Sequence, residues 1–324
     1  MPHARAISNF PILIAKHSDS TSDLHSRILS PSRQCLKGVR VVELSRVIAA
    51  PLAGKTLAAH GADVLWVTSP NLPDLPALDI EYSRGKRSIQ LDLSSPKDQG
   101  QLLELIKSAD VFIQSHRYVT ASLAPSRFNH ITEDGADPAA SSPSSLQTKG
   151  LGVHDLVATN PKLIYASMSA YGSSGPWSER RGFDSMIQTC SGMNVSEAEH
   201  AGKGEPARMT PTQALDHAGG YFLATGIMCA LYKTAVDGGA YTVDVSLAGV
   251  MRYLRSLGQY DGDSGFQCED ITSPDQIPDL LDTNTTAFGD LTTVRHAANI
   301  EGYSINEGVP RPLGSDKARW LDAA

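Results

Sequence analysis

The sequence predicts an α/β protein built on a doubly wound, Rossmann-like parallel sheet. Three observations carry that expectation. Short β-branched runs recur along the chain, helix-periodic stretches separate them, and Gly or Pro punctuates the junctions.

In chain order, Val39–Leu44 (VRVVEL) reads as a buried strand, because it is a short β-branched run. Pro51 opens a helical pattern, PLAGKTLAAHGA, which Gly61 stops. Ala62–Thr68 (ADVLWVT) is the next strand, completing a βαβ unit with a right-handed crossover. Ser88–Leu93 (SIQLDL) alternates as a strand does. Ser95-Pro96 then leads a helix to Lys107 with Leu102, Leu103 and Ile106 on one face. Asp110–Gln114 and Leu163–Ser167 are further strands. Leu215–Tyr232 is a long apolar helix, and Tyr241–Leu247 is the final strand of the series.

Composition sets the outer limits. With 324 residues there is chain enough for one large domain or two modest ones. A formal net charge of −7 argues against general nucleic-acid binding. The cysteines Cys35, Cys190, Cys229 and Cys268 form no CxxC pair, so neither a zinc site nor a disulfide framework is expected. No apolar run is long enough to span a bilayer. Residues 1–36, rich in Ser with scattered Arg and Lys, read as a disordered extension. The same composition weakly resembles a transit peptide, so a mitochondrial address stands beside the default cytoplasmic one. Residues 37–258 form the large domain, with an insertion loop at 125–148. Residues 259–324 are a linker and a C-terminal segment that packs back on it.

Three segments could carry chemistry. At residues 37–64 a strand runs into the small-residue turn Ala49-Ala50-Pro51 and a helix N-terminus, which suits a phosphate or pyrophosphate. Alone, it is also an ordinary βα turn. At residues 81–93, Arg84, Lys86 and Arg87 crowd before a strand and could hold nucleotide phosphates, or form a solvated basic turn. At residues 210–233, Asp216 stands where a polar turn meets the apolar helix, with Gly219 and Gly220 close behind. The helix N-terminus favours an ionised carboxylate there, ready as a nucleophile, while the plain alternative is a helix cap.

In this order, LKGVRVVELSRVIAAP (36–51), GAD (61–63), GKRSIQLDL (85–93), ADV (109–111), NPKLIYASMSAYG (160–172), GPW (175–177), RRGFDSMIQTCSG (180–192) and ALDHAGG (214–220) resemble the class III coenzyme A transferases. That family includes formyl-CoA transferase, carnitine CoA-transferase (CaiB/BaiF) and α-methylacyl-CoA racemase, and the resemblance covers roughly residues 37–255. It implies transfer of CoA between an acyl-CoA and a carboxylic acid through an aspartyl anhydride and thioester, with Asp216 as the aspartate. CoA contacts are implied at Arg46, Val47, Ile48 and Ala49, at Leu91 and Leu93, and at the basic and aromatic pair Arg181 and Phe183. CoA is then a substrate, no tightly bound cofactor or metal is implied, and the expected assembly is a homodimer, in a family whose members form interlocked dimers.

Two other readings stay open. The racemase branch places a histidine where this chain has Phe183, which cannot transfer a proton, and His217 is the remaining candidate base. A non-catalytic CoA-binding member is the second. The chain departs from the family at Trp66-Val67-Thr68-Ser69 and Ser115-His116-Arg117-Tyr118, and the family's small second domain is expected to be reduced or absent here.

Overall fold

The computed structural model describes residues 10–20, 33–115, 146–202, 206–298 and 300–321. A seven-stranded sheet organises them, in the order β1-β7-β6-β5-β2-β3-β4. Its strands are β1 (Ile12–Lys16), β2 (Arg40–Leu44), β3 (Asp63–Thr68), β4 (Arg87–Gln90), β5 (Val111–Gln114), β6 (Ile164–Ser169) and β7 (Tyr241–Ser246). All pairs are parallel except β1 with β7. The chain steps outward from β2 to β3 and β4, then returns to place β5 on the other side of β2. The gap beyond the carboxyl ends of β2 and β5 is thus a topological switch point.

Helices cover both faces. On one side α1 (Ala49–Ala59) and α7 (Ala214–Asp237) pack on Val41, Val111, Ile113, Ile164, Ala166 and Val243. Every residue of α1 is buried, as expected of a helix apolar nearly all round and held between sheet and α7. On the other side lie α3 (Pro96–Lys107) and α4 (Val153–Thr159), whose Leu102, Leu105, Ile106 and Leu156 meet Val42, Leu65, Phe112 and Tyr165. Each such side chain contributes about 1.5–3 kcal/mol by leaving water. Ser95 starts α3 by accepting the Asp98 N–H, with Pro96 in the first turn.

Four further helices lie outside the elements expected from sequence: α2 (Pro76–Tyr82), α5 (Asp184–Cys190), α6 (Met193–Ala201) and α8 (Leu247–Ser256), although Leu247, Val250, Met251 and Leu254 of α8 share one helical face. Ser246 caps α8 by accepting the Gly249 N–H at 3.1 Å. Beyond α8, β8 (Leu281–Thr286) and β9 (Gly289–Val294) form a separate antiparallel hairpin.

The stretch expected to be a disordered extension contains β1, which completes one sheet edge along β7. Its apolar Ile12 and Ile14 pack on the core, which outweighs the polar flanks. Residues 1–9 and 21–32 of that stretch, and 125–145 of the expected insertion loop, lie outside the described residues. At the opposite edge, the C-terminal segment lies along β4. Asp316 N–H donates to Ser88 O at 3.0 Å and the Asp316 carboxylate accepts Ser88 N–H at 2.9 Å. Trp320 donates to Leu105 O and sits under the Arg40 guanidinium. Among the described residues no helix is long and apolar enough to cross a membrane.

Candidate active site

A cleft of about 510 Å³ opens at the switch point. The β2–α1 turn supplies Arg46, Val47, Ile48 and Ala49, and the end of β6 supplies Met168, Ser169 and Ala170. Arg180, Arg181 and Phe183 come from the following loop, and Asp216 from the first turn of α7. Five of the positions expected from sequence at this end of the sheet therefore converge with Asp216: the four of the turn and Arg181, joined by Phe183 at the mouth, 61% exposed.

Val47 has φ +74, a left-handed conformation that a β-branched residue rarely adopts and that costs about 1–3 kcal/mol. Something must hold it there, and the packing beneath supplies candidates. Ile48 and Leu52 sit on Trp66 and Tyr82.

Asp216 is 9% exposed. The first backbone N–H groups of α7 do not serve its side chain. Asp184, at the start of α5, accepts Leu215 N–H at 2.8 Å and Asp216 N–H at 3.1 Å through Oδ2. Gln188 donates to Asp184 Oδ1 and accepts Thr210 N–H at 3.0 Å. Asp184 is thus the cap that fixes the start of α7. Burial first, and the Asp184 charge second, push the Asp216 carboxyl up to about 7. The expectation that the helix end keeps Asp216 firmly ionised is corrected on this point: its environment disfavours the charge.

Gly220 explains the glycines that follow. A Cβ there would lie 2.6 Å from Ala49 O and 2.8 Å from Leu52 Cβ, so its absence lets α7 close on α1 and bring Asp216 to the Val47 turn. His217, the alternative base, is absent from the cleft lining. Its Nδ1–H donates to Gln213 O, which leaves Nε2 to accept the Tyr82 hydroxyl at 3.2 Å.

A second hollow of about 260 Å³ adjoins the first, sharing Arg46 and Leu72. Leu91 and Leu93 line it, with Thr68, Ser69, Asn71 and Lys149. Lys149, whose Nζ donates to Leu93 O at 2.6 Å, is a cation the sequence reading did not single out.

The basic cluster is the main correction. Arg84, Lys86 and Arg87 line neither hollow. They stand at the opposite, amino end of β4, and each is taken up by carboxylates. Arg84 pairs with Glu81 and Glu307. Arg87 forks onto Asp63 at 2.7 and 2.8 Å. Lys86 is fully buried against Glu43. Their partners are distant in sequence, so spacing alone could not reveal them. Asp184, Met168, Ser169 and Arg180 were also not singled out. The acid beside Phe183 is a visible signal, but its target is a helix start made only by the fold.

A doubly wound sheet with a buried carboxyl lining a cleft at its switch point defines an α/β protein with the geometry of a small-ligand site. The chain belongs to CoA-transferase family III, whose description its residues 36–123 and 139–264 match. It is 32% identical over 245 residues to the acetyl-coenzyme A transferase nodX of Hypoxylon pulicicidum, covering 73% of this chain and 36% of that protein. It is 31% identical over 228 residues to the probable fatty acyl-CoA transferase Rv3272 of Mycobacterium tuberculosis, covering 66% of this chain and 51% of that one. Among solved structures, that of Rv3272 superposes with a TM-score of 0.56 at 28% identity, over 69% of this chain and 57% of that one. A CAIB/BAIF family protein from Brucella suis gives 0.53 at 27% identity, over 79% and 64%. The chain spans between about a third and a half of the length of these two curated relatives.

Proposed function

We propose that this chain transfers CoA from an acyl-CoA to a carboxylic acid, with Asp216 as the nucleophile. The observation that carries the reading is the Asp216 carboxyl, buried yet lining a cleft at the switch point of the sheet. Poor solvation makes a carboxylate a better nucleophile, and fixed position raises its effective concentration.

The Asp216 carboxylate adds to the thioester carbonyl, the C–S bond breaks, and CoA leaves as thiolate, giving an aspartyl–acyl anhydride. The thiolate then attacks the aspartyl carbonyl. The acyl group departs as its carboxylate and Asp216 carries CoA as a thioester. The acceptor carboxylate attacks that thioester, forming a second anhydride and freeing the thiolate. The thiolate takes the acceptor acyl group and Asp216 is restored. No net proton or electron is gained or lost. The strained turn at Val47 and the Leu91–Leu93 hollow are the proposed CoA supports, with Arg46 between them and Lys149 available to a phosphate. Arg181 and Phe183 border the acyl end. A homodimer belongs to the same reading, through the family.

A single experiment tests the core of it. The chain is incubated with a panel of acyl-CoAs and carboxylic acids, quenched with hydroxylamine, and digested. The expected result is a hydroxamate on Asp216 and CoA exchange between acids. Exchange retained by Asp216→Ala would refute the nucleophile. Deuterium wash-in at the α-carbon without CoA exchange would point to the racemase branch instead.

A further inference from the structure

Beneath the Val47 turn lies a buried polar network that the reaction does not use. Glu43, in β2, and Lys86, just before β4, have side chains with 0% exposure. Lys86 Nζ lies 2.9 Å from Glu43 Oε1 and 2.8 Å from Oε2, the latter an ion pair without hydrogen-bond alignment. The same ammonium donates to Pro51 O at 2.7 Å. Ser45 Oγ donates to Glu43 Oε1 at 2.6 Å, and Trp66 Nε1–H donates to Ser45 O at 3.0 Å. The ammonium also sits 4.7 Å from the centre of the Trp66 ring.

These contacts have a common geometry. Glu43 precedes the turn, Pro51 follows it, and Arg46, Val47, Ile48 and Ala49 hang between them on the cleft wall. Lys86 joins the two stems, and Trp66 ties down the residue next to Arg46. Helix α1 is shaped around the pair. A Cβ at Gly54 would meet Glu43 Oε2 at 1.6 Å and Lys86 Nζ at 3.2 Å. Removing Lys86 alone would leave the Glu43 charge and the Pro51 carbonyl without the ammonium, and removing Glu43 alone would leave the Lys86 charge buried without its counter-ion, so the ion pair holds as a unit. What it spans is the segment that contains Val47 in a conformation its own side chain resists.

We infer that Lys86 is a positioning residue: with Glu43 and Trp66 it staples the two stems of the β2–α1 turn and keeps Val47 in the left-handed shape that receives the CoA arm. Lys86 lines neither hollow assigned to CoA; it acts through the backbone of Arg46–Ala49. The part of the inference that concerns CoA rests on the reading given under Proposed function, and the staple itself does not.

The test compares wild type with two variants. Glu43→Leu with Lys86→Met replaces the ion pair by apolar side chains of similar size, so that no lone charge is left buried. Trp66→Phe keeps an aromatic ring and removes the N–H. Hydrogen–deuterium exchange is read at Arg46–Ala49, with the amides of β6 as an internal reference. CoA affinity is read by calorimetric titration, and KM and kcat for an acyl-CoA by turnover. The paired variant should exchange about tenfold faster at Arg46–Ala49 with β6 unchanged. Its Kd and KM should rise about tenfold with kcat within twofold. Trp66→Phe should show the same pattern at about threefold, and it carries the test if the paired variant does not fold. In a Val47→Gly background, where the left-handed shape is free of strain, the paired substitution should cost threefold or less. Equal losses in the wild-type and Val47→Gly backgrounds, or unchanged exchange at the turn in a folded variant, would overturn the staple. If wild type binds no CoA in the titration, the proposed function fails and the exchange data alone decide the staple.

Discussion

Replacing Asp216 by Asn should make the protein more stable, and by an amount that depends on pH. The carboxyl rises from an ordinary value of 3.8 to about 7 in the fold. Three units correspond to roughly 4 kcal/mol at 1.36 kcal/mol each. The sign follows from proton uptake. Between 3.8 and 7 the folded state binds more protons at this site than the unfolded state, so stability falls as pH rises through that window. Above 7 the full penalty is present, and below 3.8 it is gone. Asn carries no charge and avoids the penalty, but its amide must still find partners beside Asp184, which offsets roughly half the gain. A net of about 2 kcal/mol at pH 8 is expected, or roughly 4 °C in Tm for a chain of this size. Thermal unfolding of both proteins at pH 4, 6 and 8 measures it. The difference should grow with pH and level off near 7, while acyl transfer is lost. A variant no more stable than wild type at pH 8, or a difference that does not change with pH, would refute the account of a carboxylate held against its preference.

The same carboxyl sets the pH dependence of the proposed reaction. kcat/KM should rise with pH to a plateau, with a midpoint near 7, in a rate profile from pH 5 to 9. Asp184→Asn should move that midpoint to lower pH, since the neighbouring negative charge is removed, and should lower stability through a weaker cap by about 1 kcal/mol, read as a fall in Tm. Gly220→Ala should destabilise by about 1–3 kcal/mol in denaturant titration, because the added methyl meets Ala49 O and Leu52. Asp244 serves as a control. Burial pushes it too up to about 7, so Asp244→Asn should also stabilise above pH 7, yet transfer activity should persist.

The alternating strands and helices were legible because parallel strands buried on both faces must be short apolar runs, and Val41, Val42, Ile113 and Val243 satisfy that rule locally. β1 carries such a run, Ile12-Leu13-Ile14, but its Ser- and Arg-rich flanks conceal it. α5 escapes because seven residues make too few turns for a period to show, whereas the apolar face of α8, Leu247, Val250, Met251 and Leu254, was legible at helical spacing directly after the β7 run. At the site, Asp216 and the Val47 turn could be found as junctions between a turn and a helix, which are local features. The state of Asp216 could not, since it depends on Asp184 taking the helix N–H groups across the fold. The fate of Lys86 could not either. A lysine before a strand looks alike whether it faces a phosphate or a buried glutamate forty-three positions earlier.

The tail along β4 has a consequence beyond the site. A parallel sheet ends in strands whose outer N–H and C=O groups would pair with any extended chain that meets them. Asp316 occupies those groups at Ser88, and β1 occupies their counterparts on β7. One border is thus occupied at Ser88 by the C-terminal segment, and at the other β1 covers β7 and itself becomes the edge strand, each segment remote in sequence from the strand it meets. Loss of either segment would leave a bare border, a template on which copies add edge to edge.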